Sequence, residues 1–170
     1  IMAARMRVVY NAHMSGAASG YTTDQPMHKR VADLMSAPAV TCLPNGEVSA
    51  VAHSMTSHNV SSIIVVNHKQ QPVGIITEKD LVKKVVAAGC YLNSLVAAEV
   101  MSEKPLTVSP DAFYYEALLL MVGDGVKHLV VTIEDKAIGM ITIRDMIVSR
   151  GTKALTIAKN IEQHSSIDAL

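Results

Sequence analysis

Two short segments of this chain read Gly-apolar-apolar-Thr-x-x-Asp, with a threonine three residues before an aspartate. The pairs are Thr77 with Asp80, and Thr142 with Asp145. Thr-x-x-Asp is a good capping arrangement, because the side chains pair with backbone N–H groups at a helix start. A helix start also carries a partial positive charge, which favours an anion. The pattern therefore predicts two helix starts, each also a candidate site for an anionic ligand.

Four basic residues accompany these segments. Lys79 and Arg144 immediately precede the two aspartates. Lys127 and His128 begin the apolar run upstream of the second segment, where the corresponding positions of the first have uncharged serines. These side chains are either solvated or within reach of a phosphate. The second segment is therefore the better equipped of the two for a phosphorylated ligand.

The two segments belong to a tandem repeat. Gly-Ile-Ile-Thr-Glu-Lys-Asp-Leu begins at Gly74, and Gly-Met-Ile-Thr-Ile-Arg-Asp-Met begins at Gly139, an offset of 65 residues. Matching residues further upstream are offset by 66, so one residue is deleted among polar residues between Asn67 and Val73. Such self-similarity predicts two copies of one structural unit. The upstream pairs are Met35 and Met101, Ser36 and Ser102, Thr41 and Thr107, Pro44 and Pro110, Met55 and Met121, Val60 and Val126, and Val65 and Val131.

Both copies predict the same order of elements. Apolar residues at i, i+3, i+4 and i+7 predict a helix in 48–55 and in 114–121. Nearly unalternating β-branched runs at 62–66 and 128–132 predict strands buried on both faces. A polar turn, a second short strand and a second helix follow, and the helix of the first copy is expected to run from Asp80 to Gly89. Each copy therefore reads β-α-β-β-α after a lead-in strand near Val40 or Leu106, an α/β (α+β) fold.

The pattern resembles the tandem CBS domain pair, or Bateman module, over roughly residues 31–151. It comprises a lead-in Asp-Leu-Met or Glu-Val-Met, an apolar helix, an apolar strand, and Gly-apolar-apolar-Thr-x-x-Asp, found twice. The resemblance, which extends to bacterial signal-transduction proteins, implies two repeats packed through their sheets with pseudo-twofold symmetry. It also implies clefts that bind AMP, ADP, ATP or S-adenosylmethionine as regulatory ligands. Two such pairs commonly form a disc-like homodimer.

The resemblance also assigns roles. Asp80 and Asp145 match the family's ribose-binding aspartate, and Thr77 and Thr142 match its hydroxyl partner. A carboxylate can accept hydrogen bonds from both neighbouring hydroxyls of a ribose. The expected ligand-binding residues are Thr77, Lys79, Asp80, Thr142, Arg144, Asp145, Lys127 and His128, with Val40, Ile75, Leu106 and Met140 as apolar walls for adenine.

Composition narrows the functional classes. Fifteen basic and fifteen acidic residues cancel, which does not suggest a nucleic-acid surface. The sequence offers no apolar run long enough to span a bilayer, so we expect a cytoplasmic protein with no membrane partner. It also lacks a nucleophile–base arrangement, a metal cluster and a phosphate loop, so we expect neither an enzyme nor a required cofactor. A regulatory nucleotide-binding module and a ligand-free dimerisation scaffold remain as alternatives.

The expected domain organisation has four parts. Residues 1–27 form an N-terminal extension, disordered or helical; 28–92 and 93–151 are the two CBS repeats; 152–170 are a tail or linker. Since the first residue is Ile1, the chain is expected to be a fragment, with a missing effector domain of the same chain as one candidate partner. The tail is faintly similar to the connector of proteins that also contain cyclic-nucleotide-binding and nucleotidyltransferase-like domains.

Overall fold

The computed structural model of this chain describes residues 29–148, so the predictions for residues 1–27 and 152–170 lie outside the described part. The strands are β1 (Thr41–Cys42), β2 (Ser62–Val66), β3 (Pro72–Thr77), β4 (Ser102–Glu103), β5 (Thr107–Val108), β6 (His128–Ile133) and β7 (Lys136–Thr142). The helices are α1 (Val48–His58), α2 (Glu78–Leu81) with a π-helical continuation (Val82–Val86), α3 (Ala97–Val100), α4 (Tyr114–Asp124) and α5 (143–148). Short 3₁₀ turns occupy Val31–Asp33 and Leu92–Ser94.

The strands form two sheets, in the orders β1-β2-β3-β4 and β5-β6-β7. In each copy a short lead-in strand pairs in parallel with the strand that follows the helix, and this strand then forms an antiparallel hairpin with the next. A parallel pair requires a crossover, which α1 supplies in the first copy and α4 in the second. The predicted β-α-β-β-α order and the mixed α/β class are therefore confirmed.

The middle strands are buried on both faces, as their unalternating sequences predicted. All five residues of β2 are buried. Ile63 and Val65 pack in the core of the first copy, while Ile64 and Val66 pack with Val130 of β6. Alternate residues of a strand point to opposite faces, so β2 serves its own core and the contact between the two sheets at once.

Each copy also contributes its lead-in segment to the other copy. Val31 is buried in the core of the second copy, and Ser36 pairs with Met140 of β7 in an antiparallel bridge. Reciprocally, β4 from the start of the second copy pairs with β3 of the first, with Gly74 opposite Glu103. The two copies are therefore interlocked, and the lead-in segments form part of the boundary between them.

The repeated glycines lie where these exchanged segments cross the sheets. A Cβ atom on Gly139 would lie 2.7 Å from the carbonyl oxygen of Ser36. A Cβ atom on Gly74 would overlap the side chain of Met101. Neither glycine has a positive φ angle. The close approach of the lead-in segment, rather than a turn conformation, explains both glycines.

Candidate functional site

Both Thr-x-x-Asp segments form the predicted caps at the junction of a strand and a helix. In the second copy, Oδ2 of Asp145 accepts hydrogen bonds from the backbone N–H of Thr142 at 2.8 Å and from its hydroxyl at 2.7 Å. In the first copy, Oδ2 of Asp80 accepts the corresponding bonds from Thr77 at 3.0 and 2.6 Å. Each cap therefore fixes one oxygen of its carboxylate and leaves the other available for further contacts.

The two remaining carboxylate oxygens have different surroundings. Oδ1 of Asp80 lies 3.2 Å from the ammonium nitrogen of Lys84 and accepts a hydrogen bond from the Ser102 hydroxyl at 3.3 Å. Oδ1 of Asp145, by contrast, has no hydrogen-bond partner among residues 29–148. Two side chains that are equivalent in the sequence are therefore inequivalent in their capacity to accept a ligand.

Asp145 lines a cleft of about 1250 Å³ between the two copies. Drug-sized ligands bind in pockets of roughly 300–1,000 Å³, so this cleft has room for a nucleotide. Its floor and walls are mixed in character: second-copy residues supply most of the charged groups, and first-copy residues supply much of the apolar surface. The second copy contributes Lys127, His128, Met140, Thr142, Arg144 and Asp145, and the first contributes Ser36, Ala39, Val40, Thr56, Asn59, Ile64 and Glu78, among others.

The structure thus brings together seven of the twelve residues predicted as ligand contacts. It places the others outside the lining of this cleft. Ile75 lies in β3 between Ile64 of β2 and Ser102 of β4, and Leu106 packs against the core of the second copy. Lys79 is exposed on α2, and Thr77 and Asp80 cap that helix. The binding roles of all twelve residues stay predictions.

Burial and neighbouring charges shift the pKa of two groups at the boundary between the copies. The pKa of His128 is lowered, chiefly by burial and further by Lys127, although Asp145 opposes the shift. For Asp80, burial acts to raise the pKa, but the hydrogen bonds from Thr77 and the ammonium of Lys84 outweigh it, so the pKa is lowered. His128 is therefore neutral near pH 7 and Asp80 is ionised.

Sequence reasoning missed several polar residues around these groups. Lys84 lies four residues after Asp80 on the same helix face, a spacing that places the two side chains together and could have been recognised. Ser102 reaches Asp80 only because β4 pairs with β3. The cleft residues Ser36, Thr56, Asn59 and Glu78 come from a different copy than Asp145, so no spacing within one copy relates them to it.

The structure is thus a tandem pair of one domain, with exchanged lead-in segments and a capped aspartate beside the cleft between the copies. The family model of the CBS domain matches the chain twice, at residues 31–87 and 96–151. The chain therefore belongs to the CBS domain family.

Relatives and solved structures agree with this assignment. The chain is 33% identical to uncharacterized protein MK0525 of Methanopyrus kandleri over 134 residues, 78% of this chain and 68% of that protein. The CBS domain pair of protein MJ0100, solved with 5′-methylthioadenosine and S-adenosyl-L-methionine, has a TM-score of 0.65 at 24% identity, covering 74% of this chain and 98% of that one. CBS domain protein PAE2072 from Pyrobaculum aerophilum, solved with AMP, has a TM-score of 0.63 at 22% identity, covering 69% and 89%. These similarities show the same fold.

No helix within residues 29–148 combines the length and apolar character needed to cross a membrane. Within the same residues, no group of three or more histidine, cysteine, aspartate or glutamate side chains is placed to hold a metal ion.

Proposed function

We propose that this chain is a regulatory module that binds an adenosine-containing ligand in the cleft beside Asp145. The observation that carries the proposal is Oδ1 of Asp145, which has no hydrogen-bond partner within the described residues 29–148 and lies on a cleft that Arg144 and Lys127 also line. The AMP complex of PAE2072 and the S-adenosyl-L-methionine complex of MJ0100 support the ligand class, because both proteins share this fold.

Asp145 is suited to hold the ribose. A carboxylate oxygen has two lone pairs, so Oδ1 can accept a hydrogen bond from each of two neighbouring hydroxyls. The other oxygen is fixed by Thr142, so the carboxylate is oriented before the ligand arrives. Each hydrogen bond to a charged acceptor contributes about 1.5–3 kcal/mol.

The rest of the cleft offers contacts for an adenosine phosphate. Arg144 and Lys127 place two positive charges on the lining, which can bind phosphate oxygens, while Asp145 and Glu78 place two negative charges there. Apolar side chains of Val40, Ile64 and Met140 line the same cleft and provide a surface for the adenine ring. AMP, ADP and ATP are therefore the ligands we propose.

We infer a regulatory role because residues of both copies line the cleft. Its walls belong to both copies, so a ligand that contacts both favours one relative position of the copies over others. The ligand can shift the equilibrium between two relative positions of the copies by no more free energy than the difference between its binding free energies for them. We propose that this change is transmitted, without catalysis by the module itself, through a homodimer to an effector domain or partner.

A second candidate function is a dimerisation scaffold that needs no ligand. The observation in its favour is the set of exposed apolar side chains on helices of both copies: Leu119 and Val122 of α4, and Val82 and Val86 of the π-helical continuation of α2. Exposed apolar clusters mark interaction surfaces. A scaffold would dimerise equally well with and without nucleotide, whereas a sensor would bind adenine nucleotides selectively.

Calorimetric titration of AMP, ATP and S-adenosylmethionine, with GTP as a control, tests the proposal on protein shown to be free of co-purified nucleotide. We expect selective binding of adenosine phosphates and, for Asp145→Asn, an affinity at least tenfold weaker. That loss corresponds to about 1.4 kcal/mol, less than one hydrogen bond to a charged acceptor.

The matched control is Asp135→Asn, since Asp135 is an exposed carboxylate in the turn between β6 and β7. Asparagine tolerates the positive φ angle of that position. If Asp145→Asn binds AMP as tightly as the Asp135→Asn control does, Asp145 is not the ribose acceptor. If the whole panel is silent, the scaffold is the correct function.

A further inference from the structure

We propose that Lys84 closes the first-copy site, so that each chain binds a single nucleotide, in the cleft beside Asp145. This inference rests on the proposed function and specifies its stoichiometry. It starts from the sequence equivalence of Asp80 and Asp145, which would predict two sites, and from the different contacts that these carboxylates make.

The hydrogen-bonding capacity of Asp80 is fully used. A carboxylate has about four acceptor positions. On Oδ2, Asp80 accepts from the backbone N–H and the hydroxyl of Thr77; on Oδ1, it accepts from Lys84 and Ser102. A ribose would have to displace Lys84 and Ser102 to reach Oδ1. At Asp145, the two positions on Oδ1 are open with respect to every described residue.

Lys84 is held in this position by more than the ion pair. Its ammonium group also donates to the backbone carbonyl oxygens of Val100 at 2.6 Å and Met101 at 3.3 Å. Val100 is the last residue of α3, where unpaired carbonyls carry partial negative charge. Lys84 therefore connects α2 to the beginning of the second copy, and a ligand would have to break these bonds together.

The sequence explains why the second copy lacks this contact. The residue four positions after Asp145 is Ser149, so the position equivalent to Lys84 has no cationic side chain. The lowered pKa of Asp80 agrees with the bonds described, because burial alone would raise it and the contacts with Thr77 and Lys84 reverse the effect. The ion pair at Asp80 therefore depends on a residue, Lys84, that the second copy replaces by Ser149.

Calorimetric stoichiometry with AMP tests this inference. We expect one AMP per wild-type chain and unchanged affinity for Asp80→Asn. For Lys84→Met, which keeps the aliphatic stem but removes the charge, we expect a second site, so that two AMP molecules bind per chain. Adding Asp80→Asn to Lys84→Met should remove that second site. Lys84→Arg retains a cation and is the matched control, with one site expected.

Several outcomes would overturn the inference. Two AMP molecules per wild-type chain, one of them lost in Asp80→Asn, would show that the first-copy site is open, while the proposed function would stand. A Lys84→Met protein that keeps one site, or that binds AMP more weakly, would show that Lys84 does not close a site. Absence of AMP binding in every protein would overturn the proposed function as well. Should Lys84→Met fail to fold, as judged by circular dichroism, the comparison of wild type with Asp80→Asn still decides whether the first-copy site is open in the wild-type chain.

Discussion

At the residue scale, the pKa of His128 depends on charged groups from both copies. This side chain lies at the start of β6, and its surroundings include the carboxylates of Asp145, Asp80 and Glu78 as well as the ammonium of Lys127. Burial nevertheless dominates and lowers its pKa below the ordinary value of 6.5. The folded protein therefore binds a proton at this position less readily than the unfolded chain does.

This shift predicts how stability depends on pH. Well above pH 6.5, His128 is neutral in both states, and its contribution is constant. As the pH falls below 6.5 the unfolded chain takes up the proton first, so the free energy of unfolding decreases until the folded-state pKa is passed. Asp80 acts in the same direction at lower pH, below its ordinary value of 3.8, because its pKa is also lowered in the fold.

Urea unfolding at pH 7.5, 6.5 and 5.5 measures the effect of His128. We expect wild type to lose stability across this range and His128→Gln to lose less. His53→Gln, at an exposed histidine of α1, is the control and should follow wild type. If the free energy of unfolding fell equally with pH in His128→Gln and His53→Gln, the role of burial at His128 would be contradicted.

At the element scale, the exchange of lead-in segments depends on the absence of a side chain at Gly139. Alanine there would place a Cβ atom 2.7 Å from the carbonyl oxygen of Ser36, and a backbone atom cannot rotate away as a side chain can. Overpacking of this kind typically costs about 1–3 kcal/mol. We therefore expect Gly139→Ala to lower the free energy of unfolding by that amount, as measured by urea denaturation.

Gly123 provides the matched control for this substitution. It lies within α4, has no positive φ angle, and a Cβ atom added there meets nothing within 4 Å. Alanine in a helix is favoured over glycine by roughly 0.5–1 kcal/mol, so Gly123→Ala should be neutral or stabilising. Similar destabilisation by both substitutions would show that the approach of Ser36 to β7 is not what requires glycine.

At the scale of the whole molecule, the exposed apolar side chains of α4 predict association of two chains. Val122 is 69% exposed and Leu119 is 44% exposed, three residues apart on one helix face. Burial of such residues against a second chain would stabilise a dimer through the hydrophobic effect. We expect sedimentation equilibrium to show a dimer at micromolar concentration, and Val122→Glu to shift it to monomer.

The control for association is Ile133→Glu. Ile133 is 50% exposed at the end of β6, beside the turn that leads to β7, and is therefore an apolar residue on a different element. This variant should remain dimeric. A monomeric wild type would remove the homodimer from the proposed mechanism. Equal dissociation of both variants would show that the interface is not specific to α4.

The amino-acid sequence by itself determined the repeat, the order of elements and the caps. These features depend on residues close together in the chain: the i, i+3, i+4, i+7 spacing of α1 and α4, the β-branched runs of β2 and β6, and Thr-x-x-Asp at each strand end. The spacing of residues along the chain fixes which side chains share a face of a helix or strand and which meet at a helix start. These helices, strands and caps could therefore be predicted without coordinates.

Only the tertiary structure decided which long-range contacts surround each of the two carboxylates. The contact of Ser102 with Asp80 and the pairing of Ser36 with Met140 join residues that are distant in the chain. Such contacts follow from the packing of two sheets through Ile64, Val66 and Val130, which no local pattern specifies. The repeated motif makes Asp80 and Asp145 equivalent, and the sequence itself separates them at the fourth residue on, Lys84 against Ser149. The contact of Ser102 with Asp80 and the position of Asp145 on the cleft come from the fold.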